Sequence, residues 1–203
     1  MDILNLQNRF QAWVARRYSR LASRSFASFG EGSILYYPAR IDNPKNIHVG
    51  KNVILQSHVW INAVDHWCGR DYVGKIEIHD NACIMNNVQI SAITSISIGR
   101  GAAIGRNCAI VDHYHDYCHL DMPILYAPLS DGKPVVIEEE AFLAVNCVIT
   151  PGVTIGRHSF IGANSVVNTD IPPFSLAAGA PAKVLRHYDH EKGAWVGRRE
   201  GGA

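Results

Sequence analysis

From Val135 to Val167 an aliphatic residue returns at every sixth position without a break: Ile137, Leu143, Ile149, Ile155, Ile161 and Val167. Two residues ahead of each stands a smaller one: Val135, Ala141, Cys147, Val153, Ser159 and Ser165. Side chains alternate along an extended strand, so both members of a unit share one face. A turn residue such as Gly156 or Gly162 then follows. A period of six suits neither an amphipathic helix nor a hairpin sheet. It suits a solenoid whose coil is a triangle of three short strands.

The same spacing runs through much of the chain. Val49, Leu55 and Ile61 hold the large position in one block, with Ile47, Val53 and Val59 in the small one. Ile78, Ile84 and Ile90 form a second block, and after a step of eight Ile98, Ile104 and Ile110 form a third. The pattern is broken by an excursion over residues 62–75 and by a longer interruption over 111–134. At three strands per coil this predicts an all-β, three-sided parallel β-helix of about five coils, roughly 24 Å tall. Each coil would satisfy its backbone groups against the next. Burial of the aliphatic columns would supply most of the stability.

Residues 1–29 read as a helix, with Leu6, Phe10, Trp13, Val14, Ala15, Tyr18 and Leu21 near one face. Arg9, Arg16, Arg17, Arg20 and Arg24 lie around it. Two placements are open to such a helix. It could rest on an anionic membrane surface, or it could pack on the prism and cover the first coil, as terminal coils require. The second is favoured. Gly30-Glu31-Gly32 ends the helix, the repeat with its protruding loop occupies 30–171, and 172–203 forms a C-terminal segment. Beyond Arg186 the glycines at 193, 197, 201 and 202 suggest a frayed tail.

The chain of 203 residues is long enough for one domain with a continuous core. Its formal net charge of +1 gives no electrostatic case for nucleic acid. No apolar run approaches the roughly 18 residues needed to cross a bilayer. Asn5, Gln7, Asn8 and Arg9 interrupt any signal-peptide centre. The five cysteines form no evenly spaced framework, and Cys108 and Cys147 fall on small inward positions of the repeat. These features lead us to expect a cytoplasmic protein.

The interruption at 111–134 is the candidate for function. It opens Asp112-His113-Tyr114-His115-Asp116-Tyr117-Cys118-His119-Leu120-Asp121, just past a strand. Loops on a rigid scaffold are where reactive groups collect, and imidazole exchanges a proton close to neutral pH. By residue type this is a general base, a metal-ligand set, or a polar loop without chemistry.

The repeat, this His-bearing loop and a C-terminal run together resemble the hexapeptide acyltransferases. That run is Asp170-Ile171-Pro172-Pro173, then Ala178-Gly179-Ala180-Pro181-Ala182-Lys183-Val184-Leu185-Arg186. The likeness spans about Phe29 to Arg186. It is similar to the maltose and galactoside acetyltransferases, and closer to enzymes that O-acetylate sugars in surface polysaccharide biosynthesis. Ile41-Asp42-Asn43-Pro44 and the Asp-His-x-His loop point to that last group. The resemblance implies a left-handed β-helix, a short C-terminal helix along a coenzyme groove, and a homotrimer with active sites between subunits. It also implies acetyl-CoA as acyl donor, no metal, and a sugar hydroxyl on a small molecule or glycan as acceptor. The setting would be cytoplasmic, at most peripheral to the inner membrane.

The mechanism so implied is direct transfer. Alignment through Ile110 puts His115 at the family's catalytic position as general base, with His113 and Asp112 as runners-up that orient the loop or the sugar. The oxyanion donor is a backbone N–H around Ala144 to Val145. Ala144, Ala163 and Asn168 would line the pantetheine arm, and Lys183 and Arg186 would meet the coenzyme phosphates. Two departures concern the acceptor. Met85 stands where the maltose and galactoside enzymes carry Asn, and Ala92 and Ile93 stand where they carry paired acids. Asn86 and Asn87 could replace those groups, or simply make the turn. Trp67 and Tyr72 suit stacking on a sugar, or local packing.

Two rivals follow from the same residues. A zinc enzyme like the γ-class carbonic anhydrases needs three well-directed imidazoles, whereas His113, His115 and His119 crowd into one loop and His58 and His79 lie coils away. A non-catalytic scaffold would have no reason to keep the loop together with the Lys183–Arg186 tail.

Overall fold

The computed structural model of the chain describes residues 3–197. Three parallel sheets form the sides of a prism. The first face carries Ser28–Phe29, Ile47–Val49, Lys75–Ile78, Ser95–Ile98, Val135–Ile137 and Thr154–Ile155. The second carries Ile34–Leu35, Ile54–Leu55, Cys83–Ile84, Ala103–Ile104, Phe142–Leu143, Phe160–Ile161 and Ser175–Gly179. The third carries Arg40–Asp42, Trp60–Ala63, Gln89–Ala92, Ala109–Val111, Val148–Ile149 and Val166–Val167.

The predicted columns are the core. On the second face Leu35, Leu55, Ile84, Ile104, Leu143 and Ile161 stack in register. On the third, Ile61, Ile90, Ile110, Ile149 and Val167 do the same. All of these side chains are fully buried. The corners are turned by residues with positive φ, among them Asn87, Asn107, Asn146 and Asn164. Asparagine tolerates that left-handed conformation better than most side chains. Here the Asn side chains also pair up the prism, with the Nδ2 of each donating to the Oδ1 of the next, from 87 to 107 to 146 to 164, at 3.0–3.1 Å. Stacking is close enough that a Cβ on Gly105 would come within 2.6 Å of the Ala144 carbonyl carbon.

The structure corrects three expectations. The helix spans Ile3–Ala22, not the whole of 1–29; its expected start lies outside the described residues. Ser23–Ser25 tighten into a 3₁₀ turn, Phe26 enters the core, and Ser28–Phe29 pair with His48–Val49. Consequently there are six coils where about five were expected, because Phe29, Leu35 and Ile41 complete an extra one. The segment after Pro181 is no helix. Ala182–Asp189 folds back antiparallel on Ser175–Gly179, and Ala194–Gly197 adds a further strand where a frayed tail was expected. Ala182 to Arg186 contains good helix formers, but the open backbone edge of Ser175–Gly179 offers a full ladder of hydrogen bonds, and an uncovered edge is a liability. Positions 198–203, including Gly201 and Gly202, lie outside the described residues.

The helix packs on the prism through Ala15, Tyr18, Ser19 and Ala22. Ala15 and Ser19 are buried, and the Ser19 hydroxyl accepts the Leu35 N–H at 2.8 Å while donating to the Ala15 carbonyl at 2.7 Å. Among the described residues no helix is long and apolar enough to cross a membrane.

If the columns carry the stability, Ile104→Ala should cost about 2–5 kcal/mol. Truncating the partly exposed Ile54 should cost much less. Equilibrium urea unfolding of the two variants would show the contrast.

Candidate active site

The long arm leaves the prism at the end of Ala109–Val111 and returns before Val135–Ile137. Asp112 is its first residue and is 0% exposed. Its Oδ1 accepts the Ile93 N–H at 2.8 Å. Its Oδ2 accepts both the Thr94 N–H and the Thr94 hydroxyl at 2.7 Å. Those donors come from the eight-residue step between Ile90 and Ile98, so the broken period there has a structural purpose. The Asp112 carbonyl accepts the Lys133 N–H at 2.8 Å, which closes the base of the arm.

His113 Nδ1 lies 2.8 Å from Asp112 Oδ1. Burial alone would raise the Asp112 pKa. The hydrogen bonds from His113, Ile93 and Thr94 together outweigh it, and the pKa falls below the ordinary carboxylate value. Asp112 is therefore ionised at neutral pH. A carboxylate can only accept, so Nδ1 is the donor and, in the neutral ring, Nε2 carries the free lone pair. The His113 side chain is 11% exposed.

The arm folds back on itself. Tyr114 and Ser130 exchange hydrogen bonds at 2.9 Å, and His115 bridges Leu129. The excursion over 62–75 holds it in place. Val64, Ile93 and Leu129 form a small separate core with Trp67 and Tyr72 against it. Trp67 Nε1 donates to the Ala127 carbonyl at 3.2 Å, and the Tyr72 hydroxyl accepts the Leu129 N–H at 2.9 Å. Between arm, excursion and third face lies a cavity of about 520 Å³, lined among others by Trp67, His113, Tyr114 and His115.

The predicted residues thus divide. Asp112, His113, His115 and Trp67 come together; the His115 ring stands edge-on to Trp67 at 5.5 Å. Tyr72 buttresses the arm. Asn87 belongs to the corner ladder. Asn86 donates to the Ser57 hydroxyl at 2.9 Å and lines a different cavity, beside the helix. Ala144, Val145 and Ala163 lie at the corner between second and third faces, the far edge of the third face from the arm. The Ala144 N–H is already given to the Ile161 carbonyl at 2.9 Å. Asn168 and Lys183 are exposed. Arg186, expected at a phosphate, is half-buried and donates from Nη2 to the Trp195 carbonyl at 3.1 Å within the terminal hairpin. The loop imidazoles take separate partners, His119 lying 3.4 Å from Asp116.

Sequence reasoning missed Arg40, Trp60 and Gln89, which line the same cavity. Each immediately precedes a large inward residue of the third face, so register alone sets them in one outward column. Asp42 ties two of them down. It accepts from Arg40 Nε at 2.9 Å and from Trp60 Nε1 at 2.8 Å, and the guanidinium lies 4.7 Å over the Trp60 ring.

A stacked hexapeptide prism with an imidazole–carboxylate pair at the root of a projecting arm marks a class, the β-helical acyltransferases. Comparison with known proteins agrees. The family model "Bacterial transferase hexapeptide (six repeats)" matches residues 134–169. The putative lipopolysaccharide biosynthesis O-acetyl transferase WbbJ of Escherichia coli K12 is 33% identical over 168 residues, covering 80% of this chain and 82% of that protein. The galactoside O-acetyltransferase of the same organism is 31% identical over 85% of this chain and 69% of its own. A hexapeptide-repeat acetyltransferase of Vibrio cholerae, VCA0836, solved with acetyl coenzyme A, superposes with a TM-score of 0.50 at 27% identity, covering 85% of this chain and 76% of the other. The chain belongs to the hexapeptide-repeat acyltransferases and has their left-handed parallel β-helix. It is an acyltransferase.

Because the native Asp112 pKa is depressed, its contribution to stability is present in full above the ordinary carboxylate value, near pH 4, and is lost as pH falls below it. Asp112→Asn should therefore melt well below wild type at neutral pH, with the gap closing as the solution is acidified through that range. Melting temperatures against pH for the two proteins would show it.

Proposed function

We propose that this chain transfers the acetyl group of acetyl-CoA to a hydroxyl of a sugar destined for surface polysaccharide, capsule, exopolysaccharide or lipopolysaccharide. The buried Asp112 and its bond to His113 carry the reading. WbbJ, named for O-acetyl transfer in lipopolysaccharide biosynthesis, supports the acceptor class, and the acetyl-CoA complex of VCA0836 supports the donor.

On this reading His113 is the general base and His115 its neighbour in the cavity, the reverse of the assignment that alignment alone suggests. His113 has a buried carboxylate behind it to fix its tautomer and to stabilise the imidazolium; His115 has an aromatic edge. Nε2 of His113 takes the proton of the acceptor hydroxyl as its oxygen attacks the thioester carbonyl. The C–S bond then breaks, the acetyl group stays on the sugar oxygen, and the proton passes to the departing thiolate. The oxyanion formed between these steps needs a positioned donor. With the Ala144 amide spent inside the prism, the Val145 N–H is the one of the pair left to serve.

Val145 and His113 lie at opposite edges of the third face, so they can share one thioester only across two copies. That favours a homotrimer with sites between subunits. The exterior of the second face suits such a contact: Phe142 and Phe160 stack at 5.2 Å and stand about two-fifths exposed, and Ile54 and Met85 are exposed on other coils of the same side. Lys183 remains the candidate for the coenzyme phosphates.

His113→Ala should lower kcat by about 10²–10⁴-fold with little change in KM for acetyl-CoA, and His115→Ala should cost less. Thiol release from acetyl-CoA with a panel of sugar acceptors would measure both. Full activity of the His113 variant together with a dead His115 variant would return the base to position 115. Lys183→Glu should raise KM for acetyl-CoA while leaving kcat near wild type.

A further inference from the structure

The helix Ile3–Ala22 is packed the wrong way round for a helix whose only role is to cap. Its fully buried side chains are small, Ala15 and Ser19, with Tyr18 and Ala22 packed half-buried against the prism beside them. Its large apolar residues face outward: Phe10 is 62% exposed, Trp13 56% and Leu21 67%, with Ile3 and Leu6 exposed as well. At about 100° per residue, positions 3, 6, 10, 13, 17 and 21 fall on one stripe opposite Ala15 and Ser19. Phe10 and Trp13 stack at 6.1 Å along it, and the Arg17 guanidinium lies 5.7 Å from the Trp13 ring. Soluble proteins seldom leave so continuous an apolar ridge bare.

Charge says what covers it. Between Ile3 and Ser25 there are five arginines, at 9, 16, 17, 20 and 24, and no acidic residue. All five are exposed, while the chain as a whole carries a net charge of only +1. A ridge of aromatic and aliphatic side chains flanked by arginines on an otherwise near-neutral protein matches an anionic lipid surface. Apolar groups enter the acyl boundary, tryptophan sits at headgroup depth, and the guanidinium groups meet phosphates. A second copy of this helix fits worse, because it would bring five like charges against five, and the flat apolar exterior of the second face offers a better contact between copies.

We propose that the outward face of the N-terminal helix docks the enzyme on an anionic bilayer. The helix lies in the interface without crossing it, held by Phe10, Trp13 and the arginine belt. This rests on the surface of the helix and not on the assignment of base, donor or acceptor.

Flotation of the full-length protein with phosphatidylcholine vesicles, with and without phosphatidylglycerol, tests it. Wild type should float with the phosphatidylglycerol vesicles, far less with phosphatidylcholine alone, and should be released by salt. Phe10→Glu with Trp13→Glu should abolish flotation. Arg16→Gln, Arg17→Gln and Arg20→Gln together should weaken it about tenfold or more. The substituted side chains are exposed, and unchanged melting temperatures would verify folding. Failure of wild type to bind the anionic vesicles at low salt would overturn the proposal, as would flotation unaffected by either variant. A drop in solution mass of the Phe10/Trp13 double variant, measured by sedimentation, would also overturn it by assigning the face to another copy of the chain.

Discussion

Everything in this molecule hangs from the register between successive coils. Each short strand donates and accepts only with the coil above and the coil below, and no strand is long enough to be stable alone. A slip of one residue would turn every inward aliphatic to solvent. The repeat therefore has to be strict where coils stack, and it can be broken only where the chain leaves the prism and returns to the same register. Both large departures obey this. The strand before the 62–75 excursion and the strand after the 111–134 arm rejoin their sheets in line, Ile61 against Ile90 and Ile98 against Ile137.

Asp112 joins that scaffold to its chemistry. A buried carboxylate is costly unless its oxygens are satisfied, and here the two oxygens receive two backbone amides, a hydroxyl and an imidazole. Three of these donors belong to the neighbouring coil, supplied by Ile93 and Thr94 in the eight-residue step that interrupts its period. The fourth is the imidazole of His113, the base we propose. Folding therefore orients the His113 ring as a by-product of satisfying Asp112. This is preorganisation by a charge that the fold must bury in any case.

What could be read from the sequence follows from the same logic. Inward positions were legible because periodicity and burial are one constraint, and Ile84, Ile104 and Ile149 fell where the spacing put them. Phe29, Leu35 and Ile41 keep the same step of six, yet the first of them was absorbed into the helix, whose apolar spacing also accommodates Phe26 and Phe29. Local pattern cannot decide between two periods at a boundary; the pairing of Ser28 with His48 does. The Ala182–Asp189 strand was illegible for a related reason, since the demand of an open sheet edge is not written in the segment that meets it. At the site, residue types located the arm and both imidazoles. The backing of His113 depends on Ile93 and Thr94, which carry no chemical signal of their own. Arg40 and Trp60 were readable in principle, as outward neighbours of inward residues, once the third-face register was known.

A straight prism is a poor builder of pockets, because its faces are flat and its interior is filled. Concavity has to come from something added to the rod. In one chain the arm and the 62–75 excursion supply it, and they do so on one edge of the third face only. The corner at Val145 sits across that face and is exposed to solvent. In the trimer we propose, two partial walls at opposite edges of one flat sheet would form a cleft, the arm of one copy over the corner of the next. The apolar second face offers the adhesion, and its exposed Phe142 and Phe160 lie in the same coils as that corner. On this view the stacked phenylalanines and the Asp112–His113 pair solve two halves of one problem. In the assembly we propose, one would bring a neighbour to that edge, and the other would hold an oriented imidazole there.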